Sequence, residues 1–251
     1  MVIVHGAWGG GWEWSRVAEL LRARGHVVLT PTLTGMGDRS HLDQSAPIGL
    51  TTHIEDLVAV LEFEDLSEVV LCAASYGGMP VTGAADRVPE RIRGVVYVDA
   101  LVPFDGQSAL DLLPAGFAEM VRAGVSEHGE HWRVPMPPTL LDALLPSGAL
   151  PDDERTACVT RLREHPALAF AEPVRLTGRI DQLPRAFVRC TAAEFGVDID
   201  EDPIAPCAAR AQKEGWLYRE LVAPHDPQLF DPMGIADLLD ELVGAVVRPS
   251  D

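Results

Sequence analysis

Short β-branched runs alternate with helical stripes along most of this chain, and that alternation restricts the fold more than any other feature. It is the signature of βαβ units, which build a parallel sheet covered by helices on both faces. The strand candidates are Val2–Val4, Val27–Thr30, Val69–Cys72, Val95–Asp99, Ala186–Cys190 and Tyr218–Val222. Most are continuously apolar, as strands buried on both faces should be. Between them, Val17, Leu20 and Leu21 form a stripe that Gly25 is placed to end. Thr52 and Glu55 have capping-box spacing ahead of Ile54, Leu57, Val58 and Leu61. Ile235, Leu238, Leu239, Leu242 and Val243 give a closing helix. With 251 residues, 47% of them hydrophobic, there is material for one large core with a small appended lobe. The expected architecture is α/β, a doubly wound, mostly parallel sheet.

The alternation breaks between about Phe104 and Pro184, a stretch rich in Leu, Pro and Met with helical patterns and no convincing strand. It reads as a helical cap inserted late in the sheet. The expected division is therefore a core of residues 1–103 and 185–251, with a cap of residues 104–184.

Charge and cysteine usage narrow the function classes. The 38 acidic against 20 basic residues give a net charge of -18, which disfavours nucleic acid and anionic membrane surfaces as partners. No apolar run approaches a membrane span, and Val2-Ile3-Val4 opens the sequence without a basic leader, so the expectation is a soluble cytoplasmic protein. Cys72, Cys158, Cys190 and Cys207 are widely spaced without metal-ligand spacing, so neither a disulfide framework nor a metal is expected. A homodimer is left open.

Ligands of open parallel sheets bind beyond the carboxyl ends of the strands. After the Val69–Cys72 run comes Ala73-Ala74-Ser75-Tyr76-Gly77-Gly78, small-x-Ser-x-Gly between a strand and a helix. That is the shape of a nucleophile elbow, where small neighbours relieve a strained serine. The alternative is a serine that only caps the following helix. After the first strand, His5-Gly6-Ala7-Trp8-Gly9-Gly10-Gly11 makes a glycine-rich bend. Its Ala7 N–H, with that of Tyr76, is placed to cradle a developing oxyanion. The loop lacks the GxGxxG of a dinucleotide site, so no cofactor is expected. His225 lies beyond the last strand, before the closing helix, and completes a Ser–acid–His chain order.

Taken together, Val2–Trp14, Leu33–Ser40, Ala73–Gly78, Tyr97–Pro103 and Phe187–Thr191 resemble the α/β-hydrolase superfamily, specifically its methylesterase and hydroxynitrile lyase branch with small bacterial esterase relatives. The resemblance spans essentially the whole chain and implies a Ser–His–acid hydrolase with a helical cap over its pocket. Two departures stand out. Ala73-Ala74-Ser75 replaces the usual Gly-His-Ser or Gly-Phe-Ser, and Ala193 falls where plant relatives place the acid. Glu194, one position on, is one candidate acid. Asp99, closing the Val95–Val98 run, is the other and is preferred, because a buried carboxylate there needs a partner such as His225.

Lyases of the branch pair a Thr in the first loop with a Lys after the histidine. Here Gly6 and Asp226 occupy those positions, which favours an esterase. The rival readings are a lyase or cyclase using the same Ser and His, and a binding protein on an impaired hydrolase scaffold. Leu112, Leu113, Phe117, Met120, Trp132, Met136, Leu140, Leu141 and Leu144 of the cap, with Trp8 and Trp12 below, suit an apolar or aromatic acyl group. The expected partner is a small-molecule ester. Scarce lysine beside abundant arginine and alanine suggests a high-GC bacterial genome, and with the resemblance, a methyl ester of secondary metabolism as substrate. The acidic run Asp198–Asp202 is expected to be a solvated loop.

Overall fold

A computed structural model describes residues 1–44, 47–127, 132–193, 195 and 201–246. In chain order its elements are β1 (Val2–Val4), α1 (Ser15–Ala23), α2 (Leu50–Phe63), β2 (Val69–Ala74), α3 (Gly78–Arg87) and β3 (Ile92–Val98). Next come α4 (Ala109–Leu112), α5 (Ala115–Glu127), β4 (Arg133–Val134), α6 (Pro138–Leu144), α7 (Asp152–Arg161), β5 (His165–Pro166) and α8 (Ala167–Ala171). The chain then returns through β6 (Arg185–Cys190), α9 (Ala205–Lys213), β7 (Leu217–Leu221), α10 (Pro227–Phe230) and α11 (Pro232–Ala245).

Five strands form one parallel sheet in the order β1-β2-β3-β6-β7. Their side chains alternate between two apolar layers, as the period of two requires. Ile3, Val70, Cys72, Val96 and Val188 pack with Trp14, Val17 and Leu21 from the α1 side and Ile235 and Leu239 of α11. Val4, Leu71, Ala73, Tyr97 and Phe187 face the layer that holds Ile54 and Leu57 of α2, Ala84 of α3 and Ala208 of α9. Burying each large aliphatic side chain this way contributes about 1.5–3 kcal/mol, which is what holds continuously apolar strands in the middle of the sheet.

The winding reverses about β1. After α1 the chain passes outside β1 at Leu29, then crosses by α2 to β2 on the other side. The loops leaving β1 and β2 therefore meet at a topological switch point, the place where such sheets bind ligands.

Three expectations change in detail. The strand expected at Val27–Thr30 contracts to a single parallel bridge between Leu29 and Val2. Val27 is 70% exposed at this edge, and Arg22 Nη2 takes the Val28 carbonyl at 2.6 Å. The last strand runs Leu217–Leu221, leaving Val222 exposed. Helix α2 begins at Leu50, so Thr52 is helical and no capping box forms there. The Glu172 carboxylate caps it from a distance, accepting from Thr51 N (2.9 Å) and Thr51 Oγ1 (2.6 Å).

The stretch between β3 and β6 is mainly helical but holds one antiparallel pair, Arg133↔Pro166 and Val134↔His165. Phe117, Val121, Leu140 and Leu144 from this insertion join the same apolar cluster as the sheet. All four cysteines are buried free thiols. Among the described residues, no helix is long and apolar enough to cross a membrane.

Candidate active site

Ser75 sits immediately after β2, with φ of +51°, in a turn that leads straight into α3. A β-carbon at Gly77 would lie 2.6 Å from the His5 carbonyl oxygen and 2.8 Å from that of Val4. Only glycine lets the turn fold back against the end of β1. Ala73 is accommodated in the buried β2 strand, opposite Val4 and Tyr97, with the turn intact. The methyl group replacing the usual glycine hydrogen therefore does not prevent the elbow.

Three side chains distant in sequence converge above this edge. His225, between β7 and α10, places Nε2 2.9 Å from Ser75 Oγ and Nδ1 2.6 Å from Asp99 Oδ2. Asp99 follows β3 with φ of +43° and is fully buried. Its carboxylate accepts from His225 Nδ1–H, which fixes the tautomer and leaves Nε2 free to accept the Ser75 hydroxyl proton. Burial disfavours the charged imidazole, but the Asp99 hydrogen bond and negative charge outweigh it and hold the His225 pKa above its ordinary 6.5. Phe195 packs edge-on against the ring, centroids 4.8 Å apart.

The second Asp99 oxygen is also satisfied. Oδ1 accepts from Arg189 Nη1 at 2.6 Å and from Cys190 N at 3.1 Å. Arg189 simultaneously pairs with Asp202, whose Oδ1 accepts from Ile204 N (2.8 Å) and Ala205 N (3.2 Å). Asp202 is thus tied into the site's support and is no free member of a solvated acidic loop. Arg189 has no part in the sequence reading. Its signal was a charge inside the apolar Phe187–Cys190 strand, which implies a buried partner. Glu194, the alternative acid, lies outside the described residues, as do positions 198–200.

Ala7 and Tyr76 line the same cavity as Ser75 and His225. The Tyr76 N–H belongs to the first turn after the strand, where such groups have no intrahelical acceptor. Two buried histidines, given no role by the sequence alone, hold these loops. His5 Nδ1–H donates to Gly6 O (2.7 Å) and its Nε2 accepts from Leu33 N (3.1 Å). His53 Nε2–H donates to Thr34 O (2.9 Å), so its Nδ1 accepts from the Tyr76 hydroxyl (2.9 Å). Burial, opposed by these backbone hydrogen bonds, lowers both pKa values to about 4, so both rings stay neutral.

Of the expected wall residues, Trp8, Trp12, Leu113, Phe117, Met136, Leu140 and Leu144 line the cavity. Leu112, Met120, Trp132 and Leu141 do not. Leu145, Leu162, Phe170, Phe195 and Leu229 complete an apolar wall, into which Glu13 and Asp226 bring carboxyl groups. Among the described residues lining it there is no Lys or Arg. Among the described residues, no group of His, Cys, Asp and Glu has the arrangement of a metal site.

Residues 1–238 match the alpha/beta hydrolase family. The chain belongs to that family. Among curated relatives, a carbendazim hydrolyzing esterase from Nocardioides sp. (strain SG-4G) is 49% identical over 122 residues, 49% of this chain and 50% of that protein. Methyl jasmonate esterase 1 of Vitis vinifera is 36% identical over 104 residues, 41% of this chain and 39% of that protein. The matched stretch thus spans half or less of the length of these relatives. Among solved structures, an extracellular alpha/beta-hydrolase from a Paenibacillus species, described as sharing structural and functional homology with tobacco Salicylic Acid Binding Protein 2, superposes with a TM-score of 0.83. It covers 99% of this chain and 98% of its own at 23% identity. The Arabidopsis methylesterase MES16 superposes with a TM-score of 0.74, covering 97% and 98%, at 21% identity. At these identities the two structures establish the shared fold.

Proposed function

We propose that this family member is a serine carboxylic ester hydrolase working through an acyl-enzyme. The observation that carries the reading is the unbroken series from Asp99 Oδ2 through the His225 ring to Ser75 Oγ, with contacts of 2.6 and 2.9 Å. In this reading Ser75 Oγ attacks the ester carbonyl while His225 Nε2 takes its proton. The backbone N–H groups of Ala7 and Tyr76 hold the oxyanion, a contribution of about 3–4 kcal/mol per donor to the barrier. His225 then delivers the proton to the departing alkoxide. Asp99 keeps the imidazole oriented and stabilises its charged form, and water attacks the acyl-enzyme by the same route in reverse.

The apolar and aromatic wall supports a small or medium ester with an apolar or aromatic body, and the esterase names of the relatives support ester hydrolysis. A methyl ester of bacterial secondary metabolism is the specific substrate class proposed. Gly6 and Asp226 at the positions where related lyases carry Thr and Lys favour hydrolysis over cyanide chemistry. Residues 104–184 are proposed to act as a cap over a core of 1–103 and 185–251. A cytoplasmic location is proposed, and the net charge of -18 supports a protein that avoids nucleic acid and anionic membranes. The test is a panel of p-nitrophenyl and methyl esters assayed with the wild type and Ser75→Ala. Hydrolysis that Ser75→Ala loses by at least three decades upholds the proposal. Equal rates in both proteins refute it.

A further inference from the structure

Ester hydrolysis leaves Glu13 unused. It follows the glycine-rich loop, is 8% exposed, and lines the same cavity as Ser75 and His225. Its backbone N–H bonds to Gly10 O, but its carboxyl has no hydrogen-bond or ion-pair partner among the described residues. It caps no helix: α1 starts after Trp14 with no side-chain cap. The chain makes room for it, since a β-carbon at Gly9 would collide with its carboxyl group. Asp226, beside His225, brings a second carboxyl to the same wall, and Cys158 of α7 contributes a buried thiol. Burial, and then the charge of Asp226, push the Glu13 pKa well above the usual carboxylate range.

A protonated carboxyl in an apolar cavity is an O–H donor with no acceptor, and a fully apolar substrate would leave it so. Resting on the esterase reading, we propose that Glu13 is a specificity-determining residue that binds a basic nitrogen, azine, azole or amine, carried by the ester substrate. The Glu13 O–H donates to the nitrogen lone pair. Where the nitrogen is basic enough, the proton passes from Glu13 Oε to it, and the resulting cation lies among the carboxylates of Glu13 and Asp226. No proton is gained or lost overall. A site built to bond a polar group discriminates strongly against the isostere lacking it.

The test compares methyl isoquinoline-6-carboxylate with methyl 2-naphthoate, which differ by one ring nitrogen. The wild type should favour the isoquinoline by at least tenfold in kcat/KM, chiefly through KM. Glu13→Leu should bring the ratio close to one, and Glu13→Gln, which keeps an N–H donor, should restore part of it. A merely structural role for Glu13 would lower both substrates alike and leave the ratio unchanged, which overturns the proposal, as does a wild-type ratio near one. Calorimetry of isoquinoline and naphthalene binding to Ser75→Ala separates this from the esterase reading. Preferential binding of isoquinoline by Ser75→Ala, beside a wild type that hydrolyses neither ester, upholds the nitrogen site and refutes the esterase reading. Hydrolysis of both esters with equal binding does the reverse.

Discussion

Ser75 and Asp99 leave adjacent parallel strands in the same left-handed backbone conformation, with φ of +51° and +43°. Their preceding residues, Ala74 and Val98, are register partners, so both side chains rise side by side from the sheet edge, with the His225 ring between them. Each such conformation costs about 1–3 kcal/mol in a non-glycine residue and persists because the surroundings hold it. Strand β2, fully buried, and β3, buried except at Arg93, supply that rigidity, and the Asp99 N–H bond to Val188 O at 2.7 Å locks the second turn.

The acid assignment follows from this geometry and predicts two effects together. Asp99→Asn should lower kcat by about four decades, because the amide no longer selects the Nδ1–H tautomer. The rate depends on neutral His225, so wild-type kcat/KM should rise with pH along a limb centred above pH 6.5, given the raised His225 pKa. In Asp99→Asn only burial remains of the two main influences, and the limb should move below the wild-type position. Stability runs the other way. The protonated His225–Asp99 pair contributes fully below pH 6.5, and the contribution is lost as pH rises through the raised pKa. Glu194→Gln should leave both rate and limb unchanged. A loss of decades in that variant would transfer the acid role to Glu194.

Gly77→Ala should cripple the elbow. The added methyl meets two backbone carbonyls of β1 at 2.6 and 2.8 Å, and backbone cannot swing aside as a side chain would. A stability loss of about 1–3 kcal/mol is expected, with a larger fall in kcat than in KM as Ser75 shifts. Denaturant melts and steady-state kinetics check it. Wild-type turnover in Gly77→Ala would mean that the turn is looser than described.

His165 of β5 predicts a stabilising substitution. Its ring is fully buried, 4.4 Å by centroid from both Tyr76 and Phe170, and neither nitrogen has a hydrogen-bond partner among the described residues. His165→Phe should stabilise the protein by about 1–3 kcal/mol by removing unsatisfied polar atoms. It should also soften the acid sensitivity. Burial holds His5 and His53 at about 4 and His165 well below 6.5. The unfolded chain binds these protons first, so stability present above pH 6.5 is lost as pH falls toward 4, by roughly 3 kcal/mol for each of His5 and His53. Thermal melts across pH 4–8 should show a steeper acid slope in the wild type than in His165→Phe. A destabilised His165→Phe would contradict this account.

Features with a short-range physical signature were legible in the sequence. Val69–Gly78 reads as a strand, a strained serine and a helix start from ten consecutive residues, and Asp99 announces itself as a carboxylate ending an apolar run. What escaped depends on distant partners. Arg189 is intelligible only beside Asp99 and Asp202, and the α2 cap comes from Glu172, 121 residues beyond Thr51. Val27–Thr30 has the composition of a strand, but its edge position leaves Val27 in solvent and only Leu29 paired. The buried histidines gave no warning, since their neutrality comes from tertiary burial alone.

The claim on which all else depends is that Ser75 is a nucleophile activated by His225. Intact-mass and peptide analysis after treatment with a fluorophosphonate probe tests it most directly. The account predicts one adduct on the Ser75 peptide, formed faster as pH rises through the His225 limb and absent in Ser75→Ala. An active enzyme that gives no adduct, or one that carries it on another residue, would contradict it.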